Sequence, residues 1–423
     1  MINRELKFAG DVQIDRLMLT SLNGQTVNII NQVQTIEIYE DMLSPFITMS
    51  IVLRESQDFL NLLPFIGEEY IDIKIYTPGI DKHKIAGRFY IYKIADRIQT
   101  KDREIMYTIK AASEEFLNDV NTKMTAVFED KISDSALNII AVDGLRTKKP
   151  INVEPTLNRT KIVSNYWSPV KSLNELAERA ISVSGSPSYM FFENRSGFNF
   201  VSVNKLLEQA SYQSFIKDNY SRQESGGNSM SSVKDPAEDY RRIIDVDVPL
   251  VTNYIDDIQE GQIKSELISY DIVTKKYVVN DYNIKAEQTP FNLLNKNLVY
   301  SKYSLANPRS LMINRPKHYY SYNDYPDSTD SAMIQRRISF FKNLEQHKVE
   351  LEVLGRSDYT IGQVVDLELP RISQITKEDF DPKDKMLSGR YLITAITHYI
   401  NRSQHTCKME LVKNSVLFDL EKV

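Results

Sequence analysis

Residues Gly389–Ser415 read GRYLITAITHYINRSQHTCKMELVKNS. Apolar residues alternate up to a polar centre, Asn401-Arg402-Ser403-Gln404, and alternate again at Cys407, Met409 and Leu411, which is the period of a β-hairpin. Near the other end of the chain, Gly87–Ser113 reads GRFYIYKIADRIQTKDREIMYTIKAAS, with the same opening Gly-Arg, the same polar middle and the same closing alternation at Ile105, Tyr107 and Ile109. The offset, 389 − 87, is 302 residues, and Ile47–Arg54 (ITMSIVLR) meets Val349–Arg356 (VELEVLGR) at the same 302. Each of these strands is followed by an Ile-Gly and another alternating run, Tyr70-Ile71-Asp72-Ile73 and Val364-Val365-Asp366-Leu367, with a loop of different length between. Three strand segments in one order, two of them at one offset, predict a small β-domain used twice; a period this long is not that of a solenoid.

The bulk numbers suit such a chain. A length of 423 residues predicts roughly three domains. A hydrophobic content of 42% and a charged content of 26% are ordinary for a soluble fold. The net charge of −5 argues against a dedicated nucleic-acid binder, which carries a basic surplus. The single cysteine, Cys407, excludes an internal disulfide framework and, by the same count, a cysteine-based zinc site. It fits manufacture in a reducing cytosol. No run of about 18 apolar residues occurs and the N-terminus lacks a signal-peptide core, so neither a membrane span nor export by that route is expected. Twenty-four tyrosines favour strands and interfaces, and so assembly.

The predicted fold class is α+β, mainly β: two similar small β-barrels, an α+β intermediate domain and an insertion domain. Residues 1–112 form the first barrel, with Val33–Glu40 among its strands and a short helix expected over Glu55–Leu63. Residues 113–210 form the intermediate domain. There, Ser133–Val142 is helical, and Ser172-Leu173-Asn174-Glu175 reads as a capping box opening a helix to Ser184. A hairpin over Tyr189–Val203 turns at Asn194–Gly197. Residues 211–238 are a polar Gly/Ser linker, and 239–252 return the first strand of the second barrel. Residues 253–330 are an insertion with strands near Ile263–Tyr270 and Lys276–Tyr282; 331–423 complete the second barrel. The helix Asp330–Leu344 is expected to bury Ile334, Ile338, Phe341 and Leu344.

Signs of chemistry are sparse. His83, His318, His347, His398 and His405 show no metalloprotease spacing, though His398 and His405 flank the last hairpin turn. Gly226-Gly227 lacks the strand and helix of a phosphate loop. Asp324/Asp327/Asp330 and Asp379/Asp381/Asp384 lack the glycine and closing glutamate of a calcium loop. Arg146-Thr147-Lys148-Lys149, Arg241-Arg242 and Arg336-Arg337 read as helix ends or salt-bridge sites. The sequons at Asn158, Asn194, Asn219 and Asn401 carry no weight without secretion. No catalytic, cofactor-binding or metal residue is assigned. Carboxylates distant in the chain leave a cell-wall hydrolase as a remote alternative.

Four stretches carry a family resemblance: Glu40–Pro45 running through ITMSIVLRES to Leu63–Ile73; Tyr166-Trp167-Ser168-Pro169 with Phe191–Asn194 and Gly197–Phe200; Gly261 with Ile268–Asp271; and the terminal repeat. In this order the chain resembles the baseplate hub (tube) proteins of contractile-tailed bacteriophages, a family that includes late control D proteins and the hub part of type VI secretion spikes. The resemblance implies a non-enzymatic virion protein of the tail baseplate, assembled in the host cytoplasm, with no cofactor. It implies a homotrimer in which two barrels per chain give pseudo-sixfold symmetry. The partners implied are a central spike protein, tail tube or tube-initiator proteins and the tape measure protein. DNA would pass through the lumen unbound, which a mild acidic balance favours. Some relatives carry a lysozyme, an oligosaccharide-binding barrel or a β-helical needle, and this sequence has none after Val423, so the spike is expected on a separate chain. A phage-derived contractile injection system is the alternative setting.

Overall fold

The computed structural model describes residues 6–57, 59, 66–80, 84–101, 103–217, 239–250, 254–271, 275–286, 292–298, 309–313, 328–371, 383–402 and 404–418. The chain opens with seven strands, β1 (Gln13–Thr20), β2 (Thr26–Asn28), β3 (Val33–Asp41), β4 (Thr48–Glu55), β5 (Tyr70–Tyr76), β6 (Ile85–Lys101) and β7 (Glu104–Ser113). A mixed region follows: α1 (Glu114–Asn121), β8 (Met124–Phe128), α2 (Ile132–Asn138), β9 (Ile151–Val153), β10 (Ile162–Trp167), α3 (Pro169–Arg179), β11 (Tyr189–Asn194), β12 (Gly197–Ser202), α4 (Val203–Leu207) and β13 (Gln213–Ile216). Then come β14 (Ile243–Leu250), α5 (Tyr254–Gln259), β15 (Lys264–Asp271), β16 (Lys276–Asn283), β17 (Arg309–Ile313) and α6 (Ser328–Glu345). The last strands are β18 (His347–Leu354), β19 (Val364–Glu368), β20 (Gly389–Asn401) and β21 (His405–Lys413). With 49% strand and 18% helix, the molecule is mainly β.

Alternation in the sequence becomes alternation in burial. Along β4 the alternate residues Met49, Ile51 and Leu53 are buried and the residues between them half-buried, so each of the three contributes about 1.5–3 kcal/mol of apolar burial. Pairing places these strands in one 13-stranded sheet, β14-β18-β21-β20-β3-β4-β7-β6-β5-β1-β2, with β19 and β13 branching from β20. One strand order occurs twice in it. The run β3-β4-β7-β6-β5 and the run β14-β18-β21-β20-β19 are wholly antiparallel and correspond strand for strand along the chain. Details repeat as well. The register slips between Ile91 and Lys93 in β6 and between Ile393 and Ala395 in β20, 302 residues on. Asp72 faces Arg88 in the first run, and Asp366 faces Arg390 in the second. The runs part at their ends, where β5 meets β1 antiparallel and β19 meets β13 parallel.

The two closed barrels expected from the sequence are corrected: among the described residues no sheet closes on itself. The strand that would have to curl back, β3, instead pairs with β20 through Thr35–Asp41 and Ala395–Asn401, so the two runs join edge to edge into one open surface. Behind the first run lies a core that includes Ile36, Ile51 and Ile109 and reaches across the join to Ile400. A separate core behind the second run includes Leu351, Ile393 and Met409.

The middle of the chain has its own core, around Trp167, Leu173 and Phe198, under β10-β8 and β11-β12-β9. Its hairpin turn requires Gly197: φ is 128°, and a Cβ there would stand 2.1 Å from the Pro150 carbonyl oxygen. The helix expected to begin at Ser172 begins a turn earlier. Ser168 accepts from the Lys171 N–H at 3.3 Å and Pro169 occupies the first turn, a stronger start than the capping box. It also stops early, at Arg179, because Asn158 Oδ1 takes the Ile181 N–H (3.0 Å) and holds the chain extended. In α6 the expected apolar face is only partly the buried one. Gln335, Ser339 and Asn343 share the buried face with Phe340 and Leu344, because β15 and β16 present carbonyls to it. Gln335 Nε2 donates to the Ser265 and Asn280 carbonyls (3.0 and 3.1 Å). Ile334, Ile338 and Phe341 line a 410 Å³ groove instead. Among the described residues no helix is long and apolar enough to cross a membrane.

Candidate functional site

Two features of the sheet stand out, and both follow from the repeated strand order. The first is its pair of uncovered edges. In β20, Ala395–Asn401 has β21 on one side and β3 on the other. The matching segment of β6, Lys93–Gln99, has β7 on one side and, among the described residues, no strand on the other. Conversely β14, the counterpart of β3, pairs with β18 alone among the described residues and ends the strand order, although just ahead of it Arg242 bridges to Ile216 of β13. The chain therefore has one joint of the kind β3–β20 and carries the two halves of a second such joint, unjoined. These edges expose apolar side chains, Tyr92 (47%) and Ile98 (54%) on β6 and Ile244 (48%) on β14. Their charges are opposite: Lys93 and Arg97 are exposed on β6, Asp245 and Asp247 on β14. Each edge is guarded against promiscuous pairing, β14 by Pro249 and β6 by a bulge at Asp96, whose φ is 56°.

The second feature is a buried polar cluster where the runs and the middle region meet. Arg195, from the β11–β12 turn, sends its guanidinium to the Ser357 carbonyl and its N–H to Thr360 Oγ1 (3.4 Å). Glu40 of β3 accepts from the Thr360 hydroxyl and, at 3.4 Å, from the Ile361 N–H. Burial pushes the Glu40 carboxyl above its usual range, opposed by Arg195; burial likewise lowers Arg195, opposed by Glu40 and Asp358. Arg356 grips Asp358 with two hydrogen bonds (3.0 and 2.6 Å). Against this network pack His398, His405 and Cys407, all fully buried. His398 Nδ1 lies 3.0 Å from His405 Nε2, and Cys407 Sγ lies 3.3 and 3.5 Å from those two atoms. Burial holds both imidazoles well below their usual range, His405 at about 3, and holds the thiol above its own.

Other residues singled out in the sequence have structural places. Lys149 bridges Glu115 and Glu193 at 2.6 Å each, and Glu193 also accepts from the Ile47 N–H and the Ser113 hydroxyl, tying the ends of β4 and β7 to the middle region. Arg337 donates to the carbonyls of Ala177, Pro187 and Tyr189, fastening α6 to the same region. Asp384 takes the N–H groups of Met386 and Leu387 in a turn. His347 is buried at the start of β18. His83, His318, Asp324, Asp327, Asp379, Asp381, Asn219, Gly226 and Gly227 lie outside the described residues. Reading the histidines by helical and loop motifs missed the grouping with Cys407. The signal was there: His405 and Cys407 are two apart on one strand face, and His398 sits directly across from Cys407 in the hairpin.

No family model matches the chain. No curated protein matches it either. Solved structures do. A tail protein from Neisseria meningitidis MC58 has a TM-score of 0.54 at 10% identity, with 94% of this chain and 96% of that chain covered. The 43 kDa tail protein of prophage MuSo2 from Shewanella oneidensis has a TM-score of 0.52 at 12% identity, covering 95% and 98%. Nearly the full length of each molecule is matched, so the repeated strand runs and the middle region correspond together. The chain therefore shares the overall fold of these tail proteins.

Proposed function

We propose that this protein is a structural, non-enzymatic baseplate hub of a phage tail. Its two strand runs descend from one duplicated wall domain, residues 1–112 and 331–423, with 239–252 returning the first strand of the second. Residues 113–210 form an intermediate domain, 211–238 a linker and 253–330 an insertion. Three chains close a ring of six wall units that joins a sixfold tail tube to a threefold spike, and DNA passes through it without specific binding. The spike, the tube or tube-initiator proteins and the tape measure are its neighbours in the virion.

The observation that supports this is the unsatisfied half of each joint. Within a chain, the first strand of one run pairs with the long hairpin strand of the other. The same two parts are left open at β14 and β6, with opposite charges and exposed apolar side chains. A second chain placed by the same operation would pair its β14 with the first chain's β6, hiding both edges. Such a contact is head-to-tail, so it makes a ring when the rotation per unit fits. The number three comes from the resemblance.

The register makes a sharp test. Tyr39 faces Thr397 inside the chain, and their counterparts are Asp247 and Ala95. Residues directly opposite in antiparallel strands sit about 4.5–5.5 Å apart at Cα, within disulfide reach. A chain carrying both Asp247→Cys and Ala95→Cys is expected to oxidise into linked species of two and three chains and none larger. Absence of linked chains, or an unbounded ladder, would overturn the ring.

A further inference from the structure

The three donor atoms of His398, His405 and Cys407 form a triangle with sides of 3.0, 3.3 and 3.5 Å, and each points inward at the other two. A point equidistant from the corners of such a triangle lies about 1.9 Å from each. Zinc binds imidazole nitrogen at about 2.0–2.1 Å and thiolate sulfur at about 2.3 Å, so an ion fits just out of that plane with little movement.

The surroundings are those of a liganding site. His398 turns its other nitrogen, Nε2, toward the buried Glu40 carboxyl, which lies 3.8 Å away, beyond hydrogen-bond distance. Cys407 receives a backbone hydrogen bond from Arg356, a donor that stabilises a thiolate. His405 turns Nε2 toward His398 and Cys407, while its Nδ1 is buried without a hydrogen-bond partner. Gly355 belongs to the enclosure: a Cβ there would sit 2.3 Å from the His405 ring, so only glycine lets the ring into place. The charge around the cluster is mixed: Arg195 acts on all three donors, opposed by Asp358 at His405 and by Glu40 and Asp358 at Cys407.

We propose that His398 Nδ1, His405 Nε2 and Cys407 Sγ bind one zinc-class divalent cation, which staples the last hairpin to the junction of the two strand runs. The donor set of two imidazoles and one thiolate selects a borderline-soft ion over magnesium or calcium. Binding requires the thiol to release its proton and both ring nitrogens facing the ion to be unprotonated. Among the described residues no fourth His, Cys or carboxylate converges on the triangle, so the fourth position belongs to a water. All three ligands are closed off from solvent, so no substrate has an open route to the ion. The ion therefore enters as the chain folds.

The full-length chain, denatured in chelator and refolded with one equivalent of zinc, is expected to retain about one ion per chain after desalting. Refolding with cobalt(II) is expected to give visible ligand-field bands and a near-ultraviolet thiolate-to-cobalt band. Cys407→Ser removes the charge-transfer band, and His398→Gln weakens retention at least tenfold. On the unmodified chain, zinc and not magnesium raises the thermal midpoint after chelator treatment and shields the thiol from alkylation in mild denaturant. Refolded protein that retains no zinc, cobalt spectra lacking a thiolate band, or retention unchanged in Cys407→Ser would overturn the site.

Discussion

Single residues in this molecule act mainly as fasteners between strand runs, and Lys413 is the clearest one to test. Its side chain is fully buried at the end of β21, where Nζ donates to the carbonyls of Met386 and Ser388 and lies 4.8 Å from the Tyr391 ring centre. Burial pushes its pKa down to about 7. An unfolded chain holds that proton up to about pH 10.4. Between about 7 and that value the unfolded state binds more protons than the folded one, so the penalty for burying the cation fades as pH rises. Relative to Lys413→Met, wild-type stability is expected to rise by up to about 1.4 kcal/mol per pH unit from about pH 7 to 9.5, followed by urea titration. A difference that stays flat over that range would show that the amine is not held uncharged. At this scale the sequence was partly legible. The Asp72–Arg88 and Asp366–Arg390 pairs can be read by sliding the two halves over each other. The convergence of Glu40, Arg195 and Asp358 cannot, because successive members are 155 and 163 positions apart and only the fold brings them together.

Among the elements, β6 and β14 hold the open edges. Ile98 and Ile244 are exposed in the single chain, so exchanging either for aspartate should change its stability by no more than about 0.5 kcal/mol. Buried against a neighbour's backbone, the same carboxylate is strongly unfavourable. Ile98→Asp and Ile244→Asp are each expected to leave the thermal midpoint in place while abolishing multi-chain species in sedimentation. Loss of fold with either, or assembly undiminished with both, would remove these strands from the interface. Element boundaries were legible where periodicity was strong, as in β4, β6, β20 and β21. They were missed where a local competitor won: Ser168-Pro169 started α3 before Ser172 could. In α6, a stripe of Gln335, Ser339 and Asn343 is buried because strand carbonyls meet it, which no hydrophobic pattern can announce.

At the level of the whole molecule, the head-to-tail character of the edges makes its own prediction. A chain with Ile98→Asp keeps a sound β14, and a chain with Ile244→Asp keeps a sound β6. Mixed in equal amounts, the two variants are expected to form pairs of chains and nothing larger, whereas each alone stays single. A mixture that stays monomeric, or one that builds rings, would contradict the proposed pairing of unlike edges. The duplication was visible in the sequence because both copies keep one hairpin length and one offset. The open sheet was not, since closure depends on whether β3 returns to its own run or crosses to β20, and either choice buries the same alternating residues.

The β3–β20 joint lies inside one polypeptide, so its strands meet at a local concentration no dilution can lower. Its counterpart between chains has no such protection. A worn or diluted assembly should therefore open at every other seam only, shedding matched couples and never an odd segment.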